Sequence, residues 1–488
     1  MTHSVFAGLQ PVIVWQHFAT LCAMPRQSKQ EGPLRQRLLD WAKGRGLAAT
    51  VDGAGNLIIR KPASPGHEGA PGVILQAHLD MVCQKNADSA HDFSCDPIVP
   101  VSRDGWLQAV GTTLGADNGI GVALILAALE DDALVHGPLE ALLTVDEEAG
   151  MGGARGLQQG MLQGRLMLNL DTEAWGEFYL GCAGGLDVDV QRTDEGDALP
   201  EGWAVRRIAL RGLRGGHSGV DIHEERGNGI KLLVGVLHDL AGELPYRLVA
   251  LNGGTARNAL PREAFATLAL PDAAGLEAWL ARRQAALREQ LRGVDEGVTL
   301  GAEAASAECV LDHQAQFVWL ASLHAAPHGV RRISRQVPGV VETSNNLGMV
   351  DIGPSGGRCN FMVRSLVDDA AMALADEIVS LFALSGTAAE KSGQYPGWAP
   401  NPGSDLLKTC QAVFRREFSS ESTVQVIHAG LECGIIGAKY PGLDIVSFGP
   451  TIRGAHAPGE AVEIDSVGRC WMLLRAILGE LAQQEGSA

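Results

Sequence analysis

Apolar positions along the chain fall into two textures. From about residue 8 to 186, strand-like and helix-like patterns alternate. Segment 34–46, LRQRLLDWAKGRG, keeps its apolar residues to one face and ends on glycine, which predicts an amphipathic helix. Segments 72–77 (GVILQA), 139–145 (LEALLTV) and 165–170 (RLMLNL) are short, mostly apolar runs of strand length. Segment 119–130, GIGVALILAALE, is apolar nearly all round, which predicts a helix with no solvent face. Strand and helix in alternation predict an α/β sheet covered on both faces.

The texture changes at the Gly- and Asp-rich stretch 182–202, CAGGLDVDVQRTDEGDALPEG. Longer strands and charged helices follow, among them 275–293 and 368–384. A loop-rich stretch, 391–405, then leads back to α/β texture: a helix over 405–418, a strand over 443–449 and a final helix. That last helix takes Asp465 as N-cap and sets Val467, Cys470, Leu474, Leu478 and Leu481 on one face. The expected architecture is an α/β domain with a mixed sheet flanked by helices, formed by residues 1–186 and 391–488, interrupted by an inserted α+β domain over 187–390. The sequence carries no evident internal repeat.

With 488 residues, 46% of them hydrophobic and 20% charged, the chain is globular and long enough for two domains. Its formal net charge of −18 provides no cationic surplus to neutralise phosphates, so nucleic acid is not an expected partner. The nine cysteines are scattered with no CxxC pair, which fits a reducing compartment rather than a disulfide framework. The start, MTHSVFAGLQPVIVWQHF, lacks a basic segment followed by a continuous apolar one, and the longest apolar helix is too short to span a bilayer. A cytoplasmic enzyme, with no membrane partner, is the expectation.

Each apolar strand of the α/β region runs into acidic residues. His78 and Asp80 follow the first, two residues apart, and residues i and i+2 of a strand share a face. Asp117 lies in GTTLGADNGIG, just before the apolar helix. Asp146, Glu147 and Glu148 follow the next strand in TVDEEAG, and Asp171 and Glu173 follow the last in LNLDTE. His456 sits in GPTIRGAHAPGEAVEID, after another apolar strand. Ligand sites of open α/β sheets lie beyond the carboxyl ends of the strands, so these side chains can converge on one crevice. Uncompensated, so many carboxylates would repel one another, and one or two divalent cations are the economical remedy. A His/Asp/Glu set suits zinc, and the absence of HExxH excludes a zincin. Any one of these acids can also be a loop residue or a helix cap, as Asp117 before a helix would be.

The motifs LQAHLDMV, GTTLGADNGIG, DEEAGM, GCAGG, GGHSG, NGGTARNALPREAFAT, VVETSNNLG, IHAGLECG and GPTIRGAHAP, in this order, resemble the aminoacyl-histidine dipeptidases, or cytosol non-specific dipeptidases, of the dizinc aminoacylase and carboxypeptidase superfamily. The resemblance implies two Zn²⁺, with Mn²⁺ or Co²⁺ as possible substitutes. It implies that His78, Asp117, Glu148, Asp171 and His456 bind metal, with Asp117 bridging. Asp80 then orients His78, and Glu147 is the general base that activates a zinc-bridging water. It further implies substrate-binding roles for His217, Asn258, Arg364 and Gly430, with the His217 equivalent often supplied by a partner subunit, and hence a homodimer. For the inserted domain over 187–390 it implies a lid and dimerisation role. The reaction implied is hydrolysis of unblocked dipeptides, with Xaa-His among the substrates to be tested.

The chain departs from that pattern at Cys83, where Pro is expected, and at Asp146, an additional acid beside the glutamate pair; Glu173 competes with Asp171 as a ligand. An aminoacylase or deacetylase of the same superfamily is the near alternative. A nucleotide-binding protein, on the strength of GADNGIGVALILA, is a distant one, because the GxGxxG spacing and a Walker lysine are both missing. A catalytically dead scaffold is opposed by the intact Glu147.

Overall fold

The computed structural model describes residues 5–86, 89–335 and 337–484; the first four residues of the amino-terminal stretch read above lie outside this range. The chain divides into two compact units. The first comprises 1–181, 400–426 and 431–488; the second comprises 182–399 and 427–430. The change of unit was expected at 186/187 and 390/391. It falls instead at 181/182 and 399/400, because the strand Gly184–Thr193 pairs along its length with Gly356–Ser365 and Ala388–Tyr395 of the second unit. The return of 427–430 to that unit was not expected.

The first unit is built on an eight-stranded mixed sheet. Its middle is four parallel strands in the order Leu139–Thr144, Val73–His78, Leu166–Asn169, Asp444–Ser447. All residues of Leu139–Thr144 and Val73–His78 are buried, as expected of strands covered on both faces. The all-apolar helix is Ala116–Glu130, and every residue from Asn118 to Leu129 is buried. It joins the helices Val12–Cys22, Asp405–Phe418 and Ile464–Ala482 in one hydrophobic core. Asp465 is not the cap of the last helix: it lies inside the first turn, the cap position is Glu463, and the Asp465 carboxylate instead meets Arg469 at 3.2 Å.

The second unit is built on a nine-stranded antiparallel sheet. Its main path contains one motif twice. In the first copy, strand Ala204–Arg211, helix Gly229–Leu240, strands Arg247–Gly253 and Ala264–Leu270, helix Leu276–Gln290 and strand Thr299–Ala304 follow in chain order. In space the first strand lies between the fourth and the third, and the third beside the second. The second copy has the same order with Gly184–Thr193, His313–Ala325, Val341–Gly353, Gly356–Ser365, Asp368–Leu384 and Ala388–Tyr395. The first copy is inserted after the opening strand of the second. The copies join where Arg247–Gly253 pairs antiparallel with Val341–Gly353. The repeat exists in topology without a matching repeat of sequence.

Candidate metal centre

The carboxyl ends of the parallel strands carry the predicted side chains of the first unit to one place. His78 is the last residue of its strand, Glu147 and Glu148 open the short helix Glu147–Gly150 after the neighbouring strand, and Asp171 lies two residues beyond Leu166–Asn169. Asp117 stands between two imidazoles: its Oδ1 is 3.2 Å from His78 Nε2 and its Oδ2 3.1 Å from His456 Nε2. His78 Nε2 also lies 3.3 Å from Asp171 Oδ1, and His456 Nε2 3.3 Å from Glu148 Oε1. The ligand atoms of His78, Asp117 and Glu148 fall within 4.8 Å of one another.

Asp80 supports this cluster from behind. It is fully buried, with Oδ1 3.4 Å from His78 Nδ1, and it accepts the backbone N–H groups of Glu147 and Glu148 at 3.1 Å each and the Ser28 hydroxyl at 2.7 Å. Burial works against its charge, yet the bonds from His78, Ser28 and Glu147 bring its pKa down to about 2. A carboxylate behind the far nitrogen of an imidazole fixes the ring and its tautomer, as it does for metal-bound histidines.

Two further buried groups, absent from the sequence reading, hold the Asp117 loop. Glu460 accepts the N–H groups of Leu114, Gly115, Ala116 and Asp117 at 2.7–3.2 Å. Arg26 donates to the carbonyls of Leu79 and Asp80 at 3.0 and 2.9 Å and also to that of Gly115. Gly115 has φ 69°, and a Cβ there would run into the Arg26 guanidinium and the Met81 side chain, so this turn requires glycine. Glu460 was legible only as one acid of the motif GAHAPGEAVEID. Its engagement also answers the nucleotide-binding alternative: the amides that would cradle a phosphate are already bonded to a carboxylate.

The donor set fits divalent cations. Among the described residues no Lys or Arg side chain bonds to any of the five clustered groups. Burial pushes the carboxyls of Glu147, Glu148 and Asp171 above the usual range, Glu147 farthest. Hydrogen bonds to Asp117 and Glu148 push His456 up to about 11, and against the effect of burial the neighbouring acids push His78 well above its ordinary value. Both shifts have one cause: the acids of this centre favour a positive charge among them, a part that metal ions play more strongly than imidazolium. The other candidates stand apart from the grouping of His78, Asp117 and Glu148. Glu173 keeps part of its side chain open to solvent, while its carboxyl is crowded by protein, and that desolvation and then Asp117 raise it to about 8. Burial raises the Cys83 thiol to about 11, so it is a poor ligand in this setting. Asp146 has φ 57°, and its backbone N–H donates to Glu31 at 2.8 Å.

The second unit brings together the remaining predicted residues. The His217 Nδ1 accepts the N–H groups of Gly219 and Val220 at 3.2 and 2.9 Å, which leaves the proton on Nε2. Ser218 N–H donates to the Asn258 carbonyl at 2.8 Å. A side chain at Gly219 would collide with the His428 carbonyl and press on the Arg364 guanidinium. Arg364 is 4% exposed; its Nη1 donates to the Tyr395 hydroxyl at 2.8 Å, its Nε has no partner, and no acid pairs with it among the described residues. His428 was missed as a single residue although its motif, IHAGLECG, was not. It is buried, meets Ser344 Oγ at 2.7 Å, and has its pKa brought to about 3 by burial and then by Arg364 and His217. Gly430 closes the same returning segment, 427–430.

An aspartate shared by two imidazoles and flanked by glutamates, at the carboxyl ends of parallel strands, is the donor arrangement of a metal-dependent hydrolase. The chain belongs to peptidase family M20/M25/M40, whose model matches residues 74–480. It is 44% identical to the cytosol non-specific dipeptidase of Escherichia coli (strain K12) over 481 residues, which is 98% of this chain and 99% of that protein. The crystal structure of aminoacylhistidine dipeptidase from Vibrio alginolyticus superposes with a TM-score of 0.84 at 43% identity, covering 98% of both chains. Aminopeptidase PepT from Bacillus cereus shares the fold at 16% identity, with a TM-score of 0.57 over 97% of this chain and 100% of that one.

Proposed function

We propose that the protein is a dipeptidase that hydrolyses the peptide bond of unblocked dipeptides, Xaa-His peptides included, with two divalent cations, zinc being the expected metal. The observation that carries this reading is the Asp117 carboxylate between His78 and His456, with Glu147 next to Glu148. His78 and Asp171 would hold one cation and Glu148 and His456 the other, with Asp117 available to both. Bound there, the cations would polarise the scissile carbonyl and bring the pKa of a water towards about 7. Asp80 fixes the His78 ring. Glu147 takes the proton of the attacking water on its carboxylate and returns it to the leaving amine, a task suited to a carboxyl whose pKa burial has raised. His217, with its proton on Nε2, donates to the carbonyl oxygen of the scissile bond, and Asn258 and Gly430 line the same subsite. Arg364, a buried cation without an acid, takes the substrate's terminal carboxylate.

The second unit, residues 182–399 with 427–430, acts as the lid. The assembly proposed is a homodimer, and the compartment is the cytoplasm, which suits nine free cysteines. Among the described residues no helix is long and apolar enough to cross a membrane. The deciding experiment is chelation followed by zinc addition, read with a dipeptide panel and the matching N-acetyl amino acids. Loss and recovery of dipeptide cleavage is expected. Full activity in metal-free protein sinks the reading, and a preference for the N-acetyl substrates turns it towards an aminoacylase.

A further inference from the structure

Glu432, the first residue of the helix Glu432–Lys439, is fully buried. Its Oε2 accepts the Gln76 amide at 2.7 Å and the Thr144 hydroxyl at 2.5 Å, while Oε1 has no partner among the described residues. The Gln76 oxygen in turn accepts the Asn169 amide, and the Asn169 oxygen accepts the Ser447 hydroxyl. Thr144, Gln76, Asn169 and Ser447 stand on the four neighbouring parallel strands, and each is fully buried. A ladder of side-chain hydrogen bonds therefore crosses the middle of the sheet and ends on Glu432. Gln76 presents its nitrogen to Glu432 and its oxygen to Asn169, and Asn169 presents its oxygen to Ser447, so each side chain of the ladder bonds the next.

This ladder lies one step below the candidate ligands. Gln76 is two residues before His78, Asn169 is two before Asp171, and Gln76 and Asn169 are register partners. Thr144 is the register partner of His78. Stability alone gives no reason for the arrangement. A buried carboxyl with an orphan oxygen is costly, and an apolar side chain of similar volume would pack there at lower cost.

We propose that Glu432 is a positioning residue for one of the two cation sites: acting through Gln76 and Asn169, it sets the spacing of His78 and Asp171. The inference rests on the reading of those two residues as metal ligands. Partners behind metal ligands typically contribute about 10–100-fold in metal affinity.

The test is calorimetric titration of the metal-free protein with Zn²⁺, for wild type, Glu432→Met, Glu432→Gln and Gln76→Met. In Glu432→Met one ion should bind about 10–100-fold more weakly while the other is unchanged. Gln76→Met, which breaks the ladder and leaves Glu432 in place, should weaken the same ion, and it decides the matter if Glu432→Met does not fold. Glu432→Gln keeps an oxygen where Oε2 stands and should restore the affinity. A purely structural role would lower the melting temperature of the metal-free variants and leave the Zn²⁺ affinity of the folded protein untouched. Wild-type uptake of two ions with unchanged affinity in a folded Glu432→Met or Gln76→Met overturns this inference alone, as does a loss that Glu432→Gln fails to restore. A wild type that takes up no Zn²⁺ overturns both this inference and the reading of the metal centre.

Discussion

The carboxylate of Asp80 accepts the backbone N–H of Glu147 at 3.1 Å, and through the same oxygen it faces His78 Nδ1 at 3.4 Å. One buried side chain thus sets both the ring of a candidate ligand and the start of the segment that carries the candidate base. Asp80→Ala removes both supports. Metal affinity and activity should each fall by about 10–100-fold, the usual contribution of a carboxylate behind a ligating imidazole. Equilibrium titration of the metal-free variant with Zn²⁺ measures this, and an unchanged affinity would show that the His78 ring is held by its surroundings instead.

Glu147 and Glu148 are adjacent, but His456 lies 3.3 Å from Glu148, and among the described residues no such contact ties Glu147 to a ligand. Glu147→Gln should therefore lower kcat by at least about 10²-fold, the scale of general base catalysis, while metal content stays at the wild-type level. Glu148→Gln should lose metal. Elemental analysis beside steady-state kinetics separates the two, and metal loss in Glu147→Gln would exchange the roles.

The apolar segments were legible because burial is written in local composition. Helix 368–384 and helix 405–418 match Asp368–Leu384 and Asp405–Phe418 residue for residue. The apolar helix, expected from 119, runs regularly from Gly119, because Asp117 and Asn118 have non-helical backbone angles; what could not be read is the turn before it, where Glu460 takes up the N–H of Ala116 from 344 residues away. Asp465 had the right residue type for a cap, yet the chain enters that helix two residues earlier, with Glu463 at the cap position. The acids at strand ends could be read because strand length and the i, i+2 rule are local. Arg26, Glu432 and Glu460 have no local signature, since what makes each matter is a partner from a distant segment. The doubled motif of the second unit was hidden for a related reason: its copies share strand order, which pairing determines, and not sequence.

Arg364 is a buried guanidinium without an acid among the described residues, so its removal should cost little in ion pairing and much in anion binding. Arg364→Ala should raise KM for dipeptides sharply and leave metal content intact. Dipeptide amides, which lack the carboxylate, should lose far less between wild type and variant. A clamp at a fixed distance from the scissile bond also admits dipeptides and excludes tetrapeptides. Equal wild-type cleavage of di- and tetrapeptides would remove Arg364 from this role.

The last prediction concerns which chain His217 serves. The family resemblance raised the expectation that a partner subunit supplies it; one route to such a dimer would be pairing of strand edges between two copies of the second unit. In this chain the two copies of the motif already pair with each other, Leu251–Gly253 against 350–352, so that part of each strand edge is taken. The outer edges that remain are the strands Thr299–Ala304 and Ala388–Tyr395 and the side strand Gly329–Ile333, with Glu303, Glu390, Lys391, Arg331 and Arg332 along them, and charged edges resist strand addition. His217 should therefore act within its own chain, even in a homodimer. His217→Ala and Glu147→Ala should each be nearly inactive, since an oxyanion donor typically contributes about 10²–10³ in rate. The two variants are mixed under subunit exchange, with differently tagged chains to demonstrate mixed dimers. Activity should stay at the level of the single variants, because each chain still lacks one group of its own site. If His217 acted across a dimer, half of randomly formed dimers would be mixed with one intact site in two, and recovery would approach about one quarter of wild type. Recovery of that size would overturn the assignment and make the partner's His217 part of the site.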